Sequence, residues 1–458
     1  MNDTDDESDV RKAPIIPKDV YFIKDETTLK DPDLADRERP HDDPDSEIED
    51  HEFAAQPDGN PSPAELKLKT KKALLEFRCK VEDSILGNYL LGESEQKHSP
   101  GEKVLAAEKL REIALWGIPL LPSKAHEGTD SVLLKFLKAK DFCVADAFEM
   151  LQKTMIWRKE NNIDTILDED LDSEYGKFMY INSRDREGRP VCYFVYGVFR
   201  NKELCKKTFG TEKERDKFLR WRIQFMEKSM KKLNFREGGV YSIVQIIDLH
   251  GTPKHVMKEL NSVSKKTLPL FQSYYPETIY REIVVNAPFW FYTSQLLFSR
   301  FMSHKSEKEF MLARPPRATQ TLLKFIAPEH LPVEYGGLKR ENDQDFSPGD
   351  KTLEHKIRGN TMSTIEIPVN EPGVTLIWDV TVVGWEVSYK EEFIPEDEGS
   401  YTILLQNQKR MGDSIRNSFY INEPGKIVIT VGNGTFKKKR MFYRSKAVTT
   451  VPMFIFFK

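Results

Sequence analysis

Residues 274–291 read YYPETIYREIVVNAPFWF, and the chain continues YTSQLLFSRF to residue 301. The apolar run Ile283–Val285, with Glu282 before it, has the character of a buried strand and stops at Asn286-Ala287-Pro288. Proline has no N–H to give to a ladder, so pairing ends there. The next segment has a helical look and carries Phe289, Trp290, Phe291, Tyr292, Leu296, Leu297, Phe298 and Phe301. At about 100° per residue these side chains point all round the helix. Thr293, Ser294, Gln295, Ser299 and Arg300 are scattered and define no polar face. Such a helix needs apolar neighbours on every side. It is either sandwiched in a core or laid as a lid over apolar contents.

Working outward, strands alternate with helices. RPVCYFVY (189–196), YSIVQIID (241–248), REIVVN (281–286) and EFMLA (309–313) read as strands. Leu219, Ile223, Met226, Met230 and Leu233 mark one face of a helix, a second helix runs to about Tyr274, and TQTLLKFI (319–326) is a third. This alternation predicts an α/β sheet covered by helices, closing near Tyr335-Gly336-Gly337. Upstream, residues 64–165 read as mostly helical: an amphipathic stretch within 61–92, EKVLAAEKLREIALW (102–116), a helix capped at Thr129-Asp130, and Val144, Ala147, Phe148, Leu151 and Met155 at helical spacing.

Beyond the polar linker KRENDQDFSPGD (339–350) the period becomes two. Ile365, Ile367, Val369; Leu376, Trp378, Val380; and Trp385, Val387, Tyr389 alternate, and TILLQ (402–406), SFYIN (418–422) and KIVITV (426–431) continue the pattern. Asn433-Gly434 is a hairpin signal. Seven or so short strands in 351–458 predict a β-sandwich.

The chain has 458 residues, enough for several domains. Residues 1–60 hold 20 Asp/Glu and 7 Lys/Arg, a balance of −13, and read as a disordered acidic tail; the remainder balances at +9. A mildly basic body of this kind is suited to anionic surfaces. No stretch reaches the roughly 20 apolar residues that span a bilayer, and the acidic start MNDTDDESDV is unlike a secretory signal, which predicts a soluble cytoplasmic protein. Cys79, Cys143, Cys192 and Cys205 lack metal or disulfide spacing and read as small buried or half-buried residues.

Catalytic patterns are missing: there is no GxxxxGK[ST], HExxH or GxSxG. Asp248, His250 and His255 lie close together at the end of a strand, where α/β proteins bind ligands, and define a minor hydrolase alternative. The small basic excess and the lack of a recognised module argue against nucleic acid. The expectation is a non-enzymatic protein with neither cofactor nor metal.

The succession LLKFLKAKDF, IWRKENNIDTIL, DREGRPVCYFVYG, FLRWRIQF, QSYYPE, NAPFWF and LPVEYGGL resembles the CRAL-TRIO lipid-transfer fold with its helical N-terminal extension. VVGWEVSYKEEFIPEDEGSYTILLQ and KKKRMFYR resemble a GOLD domain. The two behind an acidic tail are similar to the arrangement of the patellins. The resemblance divides the chain into a tail (1–60), a helical region (64–165), a CRAL-TRIO domain (170–338), a linker (339–350) and a GOLD β-sandwich (351–458). It implies a carrier of phospholipid or another hydrophobic ligand, peripheral on cytosolic membrane faces (plasma membrane, endomembranes or cell plate). Phosphoinositides and other anionic phospholipids are the implied partners, and membrane trafficking including cell-plate formation the implied role. The alternative is an adaptor whose GOLD domain binds cargo or membrane proteins beside a vestigial pocket.

The resemblance also assigns residues. The aromatic helix with Phe289, Trp290 and Phe298 becomes the gate of a lipid pocket. Glu277 matches a headgroup-binding glutamate, and Lys138 and Lys140 match basic residues that assist it. Glu309 stands where phosphatidylinositol binders carry a lysine, with Lys308 beside it. A carboxylate there opposes a phosphate, so Lys308 substitutes for the lysine or the ligand differs. Finally, Lys437-Lys438-Lys439-Arg440, with Phe436, Met441 and Phe442 around it, reads as an exposed membrane-binding cluster or as edge-strand protection.

Overall fold

The computed structural model describes residues 68–92, 112–171, 173–288, 291 and 310–449. The acidic tail, the helical pattern over 102–111, and Phe289, Trp290, Phe298, Lys308 and Glu309 lie outside the described residues.

The N-terminal unit begins with α1 (Leu68–Leu86), which buries Ala73, Leu74, Phe77, Val81 and Ile85 at helical spacing. The predicted helix over 102–116 does not extend to its end. Ala114–Leu115 (β1) pairs instead with Ile118–Pro119 (β2) as a small hairpin. Trp116 and Gly117 both have positive φ, 53° and 79°, the conformation a two-residue hairpin turn demands and a helix forbids. Helix α2 (Thr129–Ala139) has Gly128 at its N-cap and no side-chain cap. The expected cap residue Thr129 donates its hydroxyl to the Pro119 carbonyl at 2.9 Å, tying the helix to the hairpin. Helix α3 (Val144–Glu160) completes the unit.

The α/β domain follows with β3 (Met179–Arg184), β4 (Pro190–Val195), α4 (Lys202–Phe209), α5 (Glu212–Met230), β5 (Ile243–Asp248), α6 (Lys254–Tyr274), β6 (Ile279–Val285), β7 (Phe310–Leu312) and α7 (Ala318–Phe325). The sheet order is β3-β4-β5-β6-β7; β3 and β4 run antiparallel and the other neighbours parallel. Strand alternation sorts the side chains onto two faces. Cys192, Phe194, Ile243 and Val284 join the core shared with the N-terminal helices and with α5 and α6. Val191, Tyr193, Val244, Ile246, Ile283 and Val285 pack on Leu322 and Leu323 of α7, on Tyr335 and Leu338, and on Phe442 of the second domain.

Among the described residues, that second domain is a sandwich of eight strands: β8 (Leu353–Ile357), β9 (Thr361–Val369), β10 (Val374–Val382), β11 (Ser388–Pro395), β12 (Ile403–Gln408), β13 (Ile415–Tyr420), β14 (Gly425–Asn433) and β15 (Lys439–Thr449). Its sheets are ordered β13-β10-β15-β8 and β12-β11-β14-β9. The Asn433-Gly434 signal does not make a hairpin, because β14 and β15 belong to different sheets. Asn433 is buried; its amide donates to the Arg358 and Lys437 carbonyls at 3.0 and 2.9 Å and accepts from Thr435 N–H, pinning the loop that crosses between sheets. The two domains meet at Tyr335-Gly336-Gly337-Leu338. Thr381 Oγ1 donates to the Gly336 carbonyl (3.1 Å), Ser414 Oγ to that of Gly337 (2.9 Å) and Arg444 Nη2 to that of Leu338 (2.9 Å). A Cβ at Gly337 would collide with the Leu331 carbonyl, so only glycine fits there.

Candidate functional site

Sequence placed Lys138, Lys140 and Glu277 at a headgroup site, and the fold brings two of the three together. Lys138 donates its ammonium to the Tyr241 hydroxyl at 3.0 Å and lies 5.1 Å from that ring's centroid. Glu277 follows α6 with φ +51°, a left-handed conformation uncommon for a non-glycine residue. Lys140, at the end of α2, is exposed. The residue that joins the group was not foreseen. Lys135 is buried and donates through Nζ to the backbone carbonyls of Glu277 (2.6 Å) and Tyr241 (2.9 Å). Burial pulls its pKa from 10.5 down to about 7, with Glu277 opposing the shift. Two accepting carbonyls match the two N–H groups of a neutral amine. The clue in the sequence was a lysine inside the apolar run of LLKFLK, where a solvated helix face would not put one.

Behind this group lies the helix-facing side of the sheet. Ile181, Ile247, Phe310 and Leu312 on the strands, with Leu219, Met257, Leu270 and Phe271 on α5 and α6, pack on the core but stay only partly buried. These apolar side chains keep accessible surface on the sheet and on the helices that cover it. Polar groups interrupt that surface: Tyr196, Arg222, Gln245 and Glu282. The Arg222 guanidinium donates to Thr267 Oγ1 at 3.3 Å and stands 5.8 Å from the Phe271 centroid. Burial raises the pKa of the Glu282 carboxyl and lowers that of Arg222, each held back by the other's charge.

The hydrolase alternative fails on geometry. The Asp248 carboxylate accepts from Asn286 Nδ2 (3.0 Å), from the His250 backbone N–H (2.8 Å) and from the Tyr335 hydroxyl (3.0 Å). It is thus a structural hub, and His250 on the loop beyond it and His255 in the first turn of α6 are both exposed. Among the described residues, no cluster of His, Cys, Asp and Glu has metal-binding geometry and no helix is long and apolar enough to cross a membrane. Cys79 and Cys143 are exposed, against expectation, while Cys192 is buried.

The run Lys437–Arg440, expected to be uniformly exposed, divides in two. Lys437 and Lys438 are exposed on the inter-sheet loop beside Phe436, which is 91% exposed. Lys439 and Arg440 have entered β15. Lys439 Nζ donates to the Trp385 carbonyl at 2.7 Å, and Arg440 grips Glu354 through two contacts of 2.8 and 3.0 Å. Arg444 is buried against Asp379.

A largely parallel sheet with an antiparallel first strand, entered through a helical unit, is the architecture of a CRAL-TRIO domain, and a β-sandwich is fixed to its far face. Family comparisons agree: the CRAL/TRIO N-terminal domain matches residues 76–153, the CRAL/TRIO domain 174–337, and the Patellin-1-like C-terminal GOLD domain 358–439. Patellin-4 of Arabidopsis thaliana is 47% identical over 74% of this chain and 62% of its own length. Patellin-3 of the same plant is 42% identical over 77% of this chain and 75% of its own. A phosphatidylinositol transfer protein of Kluyveromyces lactis is 30% identical over 45% of this chain and 68% of its own. The chain belongs to the patellin family.

Proposed function

We propose that this patellin is a non-enzymatic phospholipid carrier that holds one lipid between the sheet and helices α4–α6 and works at cytosolic membrane faces. The observation that supports it most is the partly buried apolar surface between β5–β7 and α5–α6. Removing an acyl chain from water against such a surface is favourable by roughly 25 cal/mol per Å² of apolar area. One relative carries phosphatidylinositol transfer in its name, which fits the same reading.

In this reading Lys138, Tyr241 and Glu277 surround a headgroup at one end, with Lys140 on the approach. To Phe289, Trp290 and Phe298 the reading gives the role of gate, and to Lys308, next to Glu309 in sequence, that of phosphate partner unless the ligand differs. Lys437 and Lys438, flanked by Lys439 and Arg440, bring the GOLD domain to anionic phospholipids, phosphoinositides among them. Delivery of lipid in membrane trafficking, including at the cell plate, is the role that follows from such a carrier.

Native mass spectrometry of the purified full chain tests the reading. A non-covalent adduct of phospholipid mass, exchangeable with vesicles, is expected. A chain that carries no lipid and moves none between vesicles would overturn the carrier and leave the adaptor.

A further inference from the structure

Across the helix-facing side of the sheet, one row of residues is fixed by register. Ile181 pairs with Cys192, Cys192 with Gln245, Gln245 with Glu282 and Glu282 with Phe310. Gln245 and Glu282 are therefore neighbours in the floor of the pocket. Arg222 projects from α5 above them, and Tyr196 lies close enough to feel both charges.

These four polar groups are poorly satisfied. Arg222 Nε is buried without a hydrogen-bond partner, and the contact of Nη1 with Thr267 is long at 3.3 Å. Among the described residues, the Gln245 amide, the Glu282 carboxyl and the Tyr196 hydroxyl have no side-chain hydrogen bond, and no ion pair closes between Arg222 and Glu282. Burying a charge without a direct partner is costly, and proteins retain such groups where a ligand completes them. A structural ion pair would have closed, as Arg158 of α3 and Glu227 of α5 do at 2.6 Å. Arg222 and Glu282 both keep part of their surface accessible.

We infer that Tyr196, Arg222, Gln245 and Glu282 form a polar subsite in the pocket floor that takes a headgroup carrying both an anionic oxygen and an ammonium N–H, as an aminophospholipid of the phosphatidylethanolamine type does. In a lipid seated this way, instead of with its headgroup at the Lys138–Tyr241–Glu277 end, the phosphate oxygen meets the Arg222 guanidinium and the ammonium donates to Glu282. Gln245 and Tyr196 serve whichever oxygen or N–H lies between. With Glu282 ionised, the subsite carries one charge of each sign. A purely anionic headgroup satisfies Arg222 but is repelled by Glu282. A quaternary ammonium neutralises Glu282 but donates no hydrogen bond, so it is held less well.

The inference rests on the carrier reading, and the experiment separates the two. The full chain is equilibrated with vesicles of equal phosphatidylethanolamine, phosphatidylcholine and phosphatidylinositol, re-isolated, and its lipid quantified by mass spectrometry. Wild type is expected to enrich phosphatidylethanolamine over phosphatidylcholine about tenfold, the ratio of a single charged hydrogen bond. Glu282→Gln should bring that ratio to the vesicle's own. The double variant Arg222→Met/Glu282→Leu, which removes both buried charges together and so leaves neither unpaired, should load lipid without headgroup preference. Wild-type lipid loading without enrichment, or enrichment that survives Glu282→Gln, overturns the subsite alone. Absence of any loaded lipid overturns it together with the carrier.

Discussion

Asn286 and Tyr335 share one carboxylate: Asn286 donates to Asp248 Oδ1 and Tyr335 to Oδ2, each at 3.0 Å. Asn286 ends the strand that leads to the aromatic segment. Tyr335 opens the Tyr-Gly-Gly segment on which the sandwich is fixed, through Thr381 and Ser414. Asp248→Ala strands a tyrosine hydroxyl and an amide that have little other recourse. Each unsatisfied donor costs about 1–3 kcal/mol, so the variant should lose about 2–4 kcal/mol in urea unfolding of the full chain. Tyr335→Phe removes only one contact and should lose about 1 kcal/mol. In a double-mutant cycle the two should be strongly non-additive. Additive losses would mean that the two residues are not coupled through Asp248.

Lys135 makes stability depend on pH in an unusual direction. Its pKa is about 7 folded and 10.5 unfolded, so between these values the unfolded chain binds more protons. Stability therefore rises as pH climbs from about 7 toward 10, and the charged lysine burdens the fold below that window. Unfolding midpoints at pH 7 and pH 9 should show the rise in wild type. In Lys135→Met the slope should vanish. A slope that persists in the variant would assign it to other groups.

Fold and site differ in how far sequence displays them. The alternation around RPVCYFVY, YSIVQIID and REIVVN carries the period of its elements, so the α/β sheet and the sandwich could be read directly. The hairpin at Trp116-Gly117 could not, since ALW continues a helical pattern and only the two positive φ values break it. Lys135, Arg222 and Glu282 were missed for another reason. The partners that bury them lie distant in the chain, Lys135 reaching Glu277 across 142 residues, and local pattern holds no record of such neighbours. In the basic run, four adjacent cations look alike until strand β15 begins at the third.

The segment after the CRAL-TRIO domain, which composition marks as a linker, is held by charge. Arg416 binds Asp343 at 2.7 Å, Asp345 at 3.0 Å and the fully buried Asp379 at 2.7 Å. Burial pushes the Asp343 pKa up, but the Arg416 hydrogen bond and the Phe346 and Asp345 backbone N–H groups outweigh it and hold the value at about 2. The unfolded value is 3.8, so this stabilisation is whole above pH 4 and is lost as pH falls toward 2. Arg416→Gln should cost about 3 kcal/mol near neutrality, the usual scale for breaking a buried pair from one side. It should also flatten the acid limb of the stability curve. An unchanged acid limb would detach Asp343 from it.

The last prediction concerns membrane docking, which we place on the loop between β14 and β15. Lys437 and Lys438 are exposed there, and Phe436 is placed to enter an interface. Lys439 and Arg440 are engaged with the Trp385 carbonyl and with Glu354. Near an anionic surface each exposed cation contributes about 1 kcal/mol. Lys437→Ala/Lys438→Ala should therefore weaken liposome binding about thirtyfold in low salt, and Phe436→Ala should weaken it in a way that salt does not change. Lys439→Ala and Arg440→Gln should lower the stability of the sandwich more than they lower binding. Deleting residues 1–60 removes a balance of −13 and should tighten binding, most of all at low ionic strength where charges act beyond about 10 Å. Sedimentation with phosphatidylserine vesicles over a salt series reads all of these. If the double alanine variant binds as wild type does, the loop is not the docking site and attachment belongs to the α/β domain, where Lys140 is the exposed cation nearest the headgroup cluster.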